Sequence, residues 1–105
     1  MPIPEARRLW TLGASTGIAS DPVNLQAMTR EINVYMQTDG ASTASVEMVT
    51  SRTSTGPWVT LGSSQSLSTG AVVVAGFTGP YLWVTPRLIA INSTANQVFV
   101  ELLGD

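Results

Sequence analysis

Apolar and polar residues alternate with a period of two along much of the chain, the pattern of strands with one buried face. Ile32, Val34 and Met36 alternate with Asn33, Tyr35 and Gln37, which predicts a strand over Thr29–Thr38. Ala44, Val46 and Met48 alternate with Ser45 and Glu47 and predict another over residues 43–52. Asp39-Gly40 lies between them and reads as a hairpin turn, because glycine tolerates positive φ. Residues 53–57, with Gly56-Pro57, read as the next turn, and Trp58 to Leu61 as a short strand. Residues 62–70 are Ser, Gln, Thr and Gly around Leu67 and read as a loop. Residues 71–77, with Val72, Val73 and Val74, form a further strand, and Val23 to Leu25 a short edge strand. The last strand covers residues 97–103, with Val98, Val100 and Leu102 opposite Phe99, Glu101 and Leu103.

Residues 79–91 are the most apolar stretch, opened by Gly79-Pro80 and closed by Asn92-Ser93. One face carries Tyr81, Trp83, Thr85, Arg87, Ile89 and Ile91, and the other Leu82, Val84, Pro86, Leu88 and Ala90. Pro86 cannot donate to a ladder, so it belongs at a sheet edge or a bulge. A bulge at Pro86 reverses the facing. Leu82 and Val84 then share the core with Ile89 and Ile91, and Tyr81, Trp83 and Leu88 form an outer contact patch. The alternative is an edge strand ending at Thr85, with the same aromatics at the rim.

Residues 1–13 read as an arm, held extended by Pro2 and Pro4. Leu9, Trp10 and Leu12 need burial, so the arm docks on its own domain as an extra strand, or on a neighbour. Residues 14–105 are the domain proper. Six to eight short antiparallel strands at regular spacing, with no helical periodicity, predict an all-β chain. Its expected architecture is a single β-sandwich, jelly-roll or immunoglobulin-like, with an extended N-terminal arm.

Composition narrows the chemistry. The 105 residues include no cysteine, histidine or lysine, so Ser-His-Asp, Cys-His and Ser-Lys arrangements are impossible and most zinc sites are excluded. Glu31, Glu47 and Glu101 occupy alternating positions that face solvent, where they read as solvated strand faces and not as an acid–base pair. Asp39-Gly40 supplies too few oxygen ligands for calcium. Gly76 to Gly79 lacks the lysine and following helix of a phosphate loop. No metal, cofactor or enzymatic activity is expected. Trp10, Trp58 and Trp83 suit core packing or subunit contact better than a sugar platform, since few amides or carboxylates surround them.

Charged residues make up 11% of the chain, well under the usual ~25%, while eleven serines and thirteen threonines fill the difference. A neutral, polar surface of this kind suits packing into an assembly. Five scattered arginines and a net charge of −2 argue against nucleic acid as a partner. No stretch approaches the ~20 apolar residues of a transmembrane helix, so no membrane partner is expected. Residues 1–5 lack the basic and apolar regions of a secretion signal, and synthesis in a cytoplasm is expected.

Three segments carry a resemblance: Glu47-Met48-Val49 leading to Gly56-Pro57-Trp58-Val59-Thr60-Leu61, then Gly79-Pro80-Tyr81-Leu82-Trp83-Val84, then Val98-Phe99-Val100-Glu101-Leu102. The resemblance covers roughly residues 31–103. These segments are similar to small bacteriophage structural proteins with β-sandwich folds, several of them capsid decoration, or cement, proteins. Those relatives often place an arginine directly after the start of the aromatic strand; here Thr85-Pro86 intervene and the arginine is Arg87. The resemblance implies a homotrimer on the outside of a phage head, bound to the major capsid protein and bracing the shell across capsomers. The expected contact residues, to shell or subunit, are Arg7, Arg8, Leu9 and Trp10 in the arm, with Trp58, Tyr81, Trp83, Arg87 and Leu88 on the domain. A phage tail, fibre or adaptor module, able to bind glycans, is the alternative.

Overall fold

The alternating pattern is realised in two antiparallel sheets that face each other across one core. A computed structural model of the chain describes residues 6–13, 16–19, 21–27, 29–39, 43–68, 70–92 and 97–104. In chain order the strands are β1 (Ala6–Gly13), β2 (Gly17–Ile18), β3 (Val23–Asn24), β4 (Thr29–Thr38), β5 (Ala44–Ser51), β6 (Val59–Leu67), β7 (Val72–Pro80), β8 (Trp83–Ile91) and β9 (Gln97–Gly104).

The strands pair inward from the chain ends: β1 with β9, β2 and β3 with β8, β4 with β7, and β5 with β6. Two further pairings, β4 with β9 and β5 with β8, join these hairpin-like ribbons sideways. The first sheet therefore runs β1-β9-β4-β7, and the second β2-β8-β5-β6 with β3 also on β8. With β2 and β3 taken as one interrupted strand, this is the doubled Greek key of a jelly roll. It settles the architecture between the two alternatives expected.

The core is the set of inward-facing residues. Trp10, Ile32, Val34, Met36, Val98, Val100 and Leu102 come from the first sheet, and Leu25, Val46, Met48, Leu61, Val84 and Leu88 from the second. On the side of β6 and β7 the gap between the sheets is closed by Phe77. Gly62 has φ +67, and a Cβ there would lie 3.0 Å from the Phe77 ring. Glycine at this position serves both the turn of the backbone and the close approach of the ring.

Four expectations need correction. Asp39-Gly40 does not make a hairpin: β4 lies in the first sheet and β5 in the second, so the segment carries the chain across the sandwich. (Gly40 itself falls outside the described residues.) Residues 62–67 are not a loop but the continuation of β6. Its serines sit on an edge strand with exposed positions, so no apolar period marks it.

The bulge in β8 falls at Ile89, not Pro86, since Ser45 pairs Ala90 and Val46 pairs Leu88. Val84, Pro86 and Leu88 consequently share the inward parity, and Leu88 is a core residue, 2% exposed, not a surface contact. Pro86 fits because its carbonyl accepts the Ala19 N–H at 3.0 Å, which places its nitrogen on that same side of the strand. Pairing to β8 is interrupted there, between Ile18 and Val23, so no donor is missed. Finally, Glu47 is 8% exposed, not solvated.

Residues 6–13 of the expected arm are β1, paired with β9 along their whole length, and residues 1–5 lie outside the described residues. Trp10 is buried against the core, while Leu9 on the opposite face is 62% exposed. Trp10→Ala is therefore expected to cost about 3–5 kcal/mol of stability, and Leu9→Ala within about 0.5 kcal/mol of nothing. Urea unfolding of the two variants measures both; equal, small losses would show that β1 is not an integral strand.

Candidate interaction surfaces

Cross-strand register sets the outer face of the first sheet as three rows. Arg7, Leu103, Asn33 and Gly76 form one; Leu9, Glu101, Tyr35 and Val74 the next; Thr11, Phe99, Gln37 and Val72 the third. Leu9, Tyr35, Val72, Val74 and Phe99 are 37–62% exposed on this one face. Within these three rows, Arg7 donates from Nε and Nη2 to Glu101 Oε2 at 2.9 and 2.7 Å, so the two charges there cancel; Glu31, opposite Thr78, is exposed in the row beyond Asn33. The Gln37 amide is held by the Gly70 carbonyl at 2.7 Å. The result is a shallow, nearly neutral surface of apolar side chains around one ion pair.

The outer face of the second sheet is different. Arg87 Nη1 reaches Glu47 Oε1 at 3.2 Å, with the glutamate side chain only 10% exposed. Val49 stands opposite Thr85, and both are buried; Ser51 stands opposite Trp83. Trp83 and Trp58 are half-buried. A Cβ on Gly56, whose φ is +94, would come within 2.8 Å of the Trp58 ring, so the turn closes over the indole only with glycine there.

At one end of the sandwich the β3–β4, β5–β6 and β7–β8 connections enclose a cleft of about 810 Å³. Its walls include Pro57, Val59, Tyr81 and Leu82, and Arg52 is the one charged residue among those lining it. Gln26 and Ala27 beside it adopt positive φ, 62° and 55°. The Asn24 side chain accepts the Gln26 N–H at 2.7 Å, and Ala27 N–H donates to Tyr81 O at 3.1 Å, which holds this unusual backbone. A second groove, about 490 Å³, runs between the edges of β1 and β2. Asp21 on its wall pairs with Arg8 at 2.6 Å.

The expected contact residues are thus dispersed. Arg7 and Leu9 share the outer face of the first sheet, and Trp83 and Arg87 that of the second. Tyr81 lines the end cleft, and Arg8 is occupied at the β1 edge. Trp10 and Leu88 are core. Among the described residues no cluster of acidic side chains could hold a metal ion. Asp21, Glu47 and Glu101 are each engaged by a different arginine in a different part of the molecule. What the surface offers is burial of apolar area. Tyr35, Phe99, Val72 and Val74, exposed on the outer face of the first sheet, are not among the expected contact residues. The available signal was Tyr35 and Phe99 standing at positions that alternation assigns to the wet face.

No family model and no curated protein matches the chain. Several solved structures share its fold. A protein derived from the SPBc2 prophage, YomS, superposes with a TM-score of 0.60 at 14% identity, covering 100% of this chain and 98% of its own. A Bacillus endospore appendage protein, of a family forming disulfide-linked pili, gives 0.51 at 16% identity over 96% and 83%. PirA gives 0.51 at 12% identity over 94% and 93%. At these identities the likeness is one of fold.

The two exposed arginine pairs differ in what they leave behind. Truncating Arg87 strands a buried carboxylate, so Arg87→Ala is expected to cost about 1–3 kcal/mol. Arg7→Ala breaks a pair whose arginine is 70% exposed and is expected to cost less than about 1 kcal/mol. Chemical denaturation separates them, and the reverse order would refute this account of Glu47.

Proposed function

We propose that this protein is a non-enzymatic structural component of a bacteriophage virion, a capsid decoration protein. In this reading it binds the major capsid protein on the outside of the head and braces the shell by bridging capsomers. The observation that carries it is the outer face of the first sheet. Leu9, Tyr35, Val72, Val74 and Phe99 form an exposed apolar group on a rigid sheet, the kind of patch that marks a protein contact. The ion pair among them is internally neutralised, and Glu31 lies in the row beyond Asn33, outside this apolar group, so docking on the group itself strands no charge. The full-length likeness of fold to a prophage-derived protein is in keeping with this reading. Without cysteine, attachment does not run through a disulfide. Many weak copies on a lattice then hold through avidity.

The contact surface in this proposal is the face carrying Leu9 and not a free arm, because Trp10 is already used inside the domain. The test is co-sedimentation with preassembled shells of the encoding phage. A Leu9→Glu/Phe99→Glu double variant, checked for folding by circular dichroism, is expected to bind at least about tenfold more weakly. Trp83→Ala, on the opposite sheet, is expected to bind as the native protein does. Full occupancy by the folded double variant would sink the proposal.

A further inference from the structure

An open sandwich exposes strand edges, and natural sheets guard them with charge, bulges or brevity. Three of the edges here are guarded. β1 carries Arg7 and Arg8. β2 and β3 are two residues each, with a break between them. β6 is bulged, since Val46 pairs Gln65 while Met48 pairs Leu61.

β7 has none of these devices. It is nine residues long, VVVAGFTGP, with unbroken register to β4. No charged residue occurs between Arg52 and Arg87, so neither β7 nor the neighbouring β6 carries one. All nine residues of β7 are at least partly exposed.

The phase of its free hydrogen-bonding groups follows from the ladder. Asp39 N–H donates to Gln97 O at 3.0 Å, one step beyond the pairing of Thr38 with Val98. Odd-numbered residues of β4 therefore bond to β9 and even-numbered ones to β7. In register, Val73, Ala75, Phe77 and Gly79 bond to Met36, Val34, Ile32 and Arg30. The N–H and C=O groups of Val72, Val74, Gly76 and Thr78 point away from the sheet. Pro80, which has no N–H, falls in the same outward phase.

We propose that β7 is the contact of a two-fold homodimer, in which two copies pair β7 antiparallel and join their first sheets into one. Placing the axis at Ala75 sets Val72 of one copy opposite Thr78 of the second copy, and Val74 opposite Gly76. Every outward N–H and C=O of those residues then finds a partner. An uncharged edge meets its own copy without repulsion, and a two-fold contact needs only one self-complementary patch. This pair replaces the trimer implied by the family resemblance, and it does not depend on shell binding.

Amide hydrogen exchange and sedimentation of the full chain test it. In the native protein at concentrations where the dimer forms, the amides of Val72, Val74, Gly76 and Thr78 are expected to exchange as slowly as those of Val73, Ala75 and Phe77. Sedimentation is expected to give a concentration-dependent dimer. Gly76→Lys sets like charges beside the axis, and a Cβ there meets only Asn33 Oδ1 at 3.6 Å and Ile32 O at 3.9 Å, so the fold tolerates it. Thr78→Pro removes an outward donor only. Each is expected to weaken dimerisation at least about tenfold while keeping the native circular dichroism. The inference is overturned by a native protein that stays monomeric with fast outward amides, or by a trimer or filament. It is equally overturned by folded variants that dimerise normally, or by protection of the outward amides only when shells are added. Should both variants unfold, the exchange pattern of the native protein decides.

Discussion

The burial of Trp10 ties the two sheets together on the side where the described chain begins. Its indole lies 4% exposed between them, and its N–H donates to the Asp21 carbonyl at 2.7 Å, so the one polar atom of a large apolar group is satisfied. The Asp21 carboxylate takes Arg8 at 2.6 Å, a second tie from β1 to the segment entering β3. With β1 so fixed, β9 has a strand on either side, and Val98, Val100 and Leu102 reach complete burial. The pairing of β1 with β9 is also the outermost of the nested pairs, within which β3 and β8, β4 and β7, and β5 and β6 follow inward.

How much of this was legible depended on whether a strand has one wet face. β4 and β9 do, and their core residues could be read from alternation alone. β5 was read for its inner face, but Glu47 on the other face is covered, which alternation does not report. The start of β6 was read at Trp58 to Leu61, but its continuation over residues 62–67 escaped because an edge strand rich in serine carries little apolar period. β8 was ambiguous because both faces are apolar, and the position of its bulge depends on pairing with Ser45 and Val46, not on Pro86. Proline marked the right strand for the wrong reason: it sits opposite a break in the neighbouring strand, and such a break is a property of tertiary pairing. Asp39-Gly40 has the local chemistry of a hairpin, and nothing local says that its two strands part to opposite sheets.

The surface followed the same logic. Leu9 and Trp10 are adjacent and equally apolar in a linear reading, yet consecutive residues of a strand face opposite ways. Once β1 joins β9, one becomes core and the other surface. Apolar character alone could not separate Leu88 from Tyr81 either. The more informative sign was an aromatic at a wet position, as at Tyr35 and Phe99, because it has no explanation in the core of its own domain.

Charge placement connects the face to the edge. The segment without charge, from Thr53 to Pro86, builds both β6 and β7, while the ion pairs lie at β1, β9 and the middle of the second sheet. β7 contributes to two surfaces at once: Val72 and Val74 project side chains onto the outer face of the first sheet, and their backbone groups form its free edge. Extending the sheet across that edge would place two copies of the apolar face side by side on one rigid surface. Ordering two such faces in advance lowers the entropic cost of engaging a lattice that repeats at matching spacing. Under the proposed function, a protein with few charges and no cysteine would gain adhesive strength in this way from geometry, by multiplying a modest contact and not by deepening it.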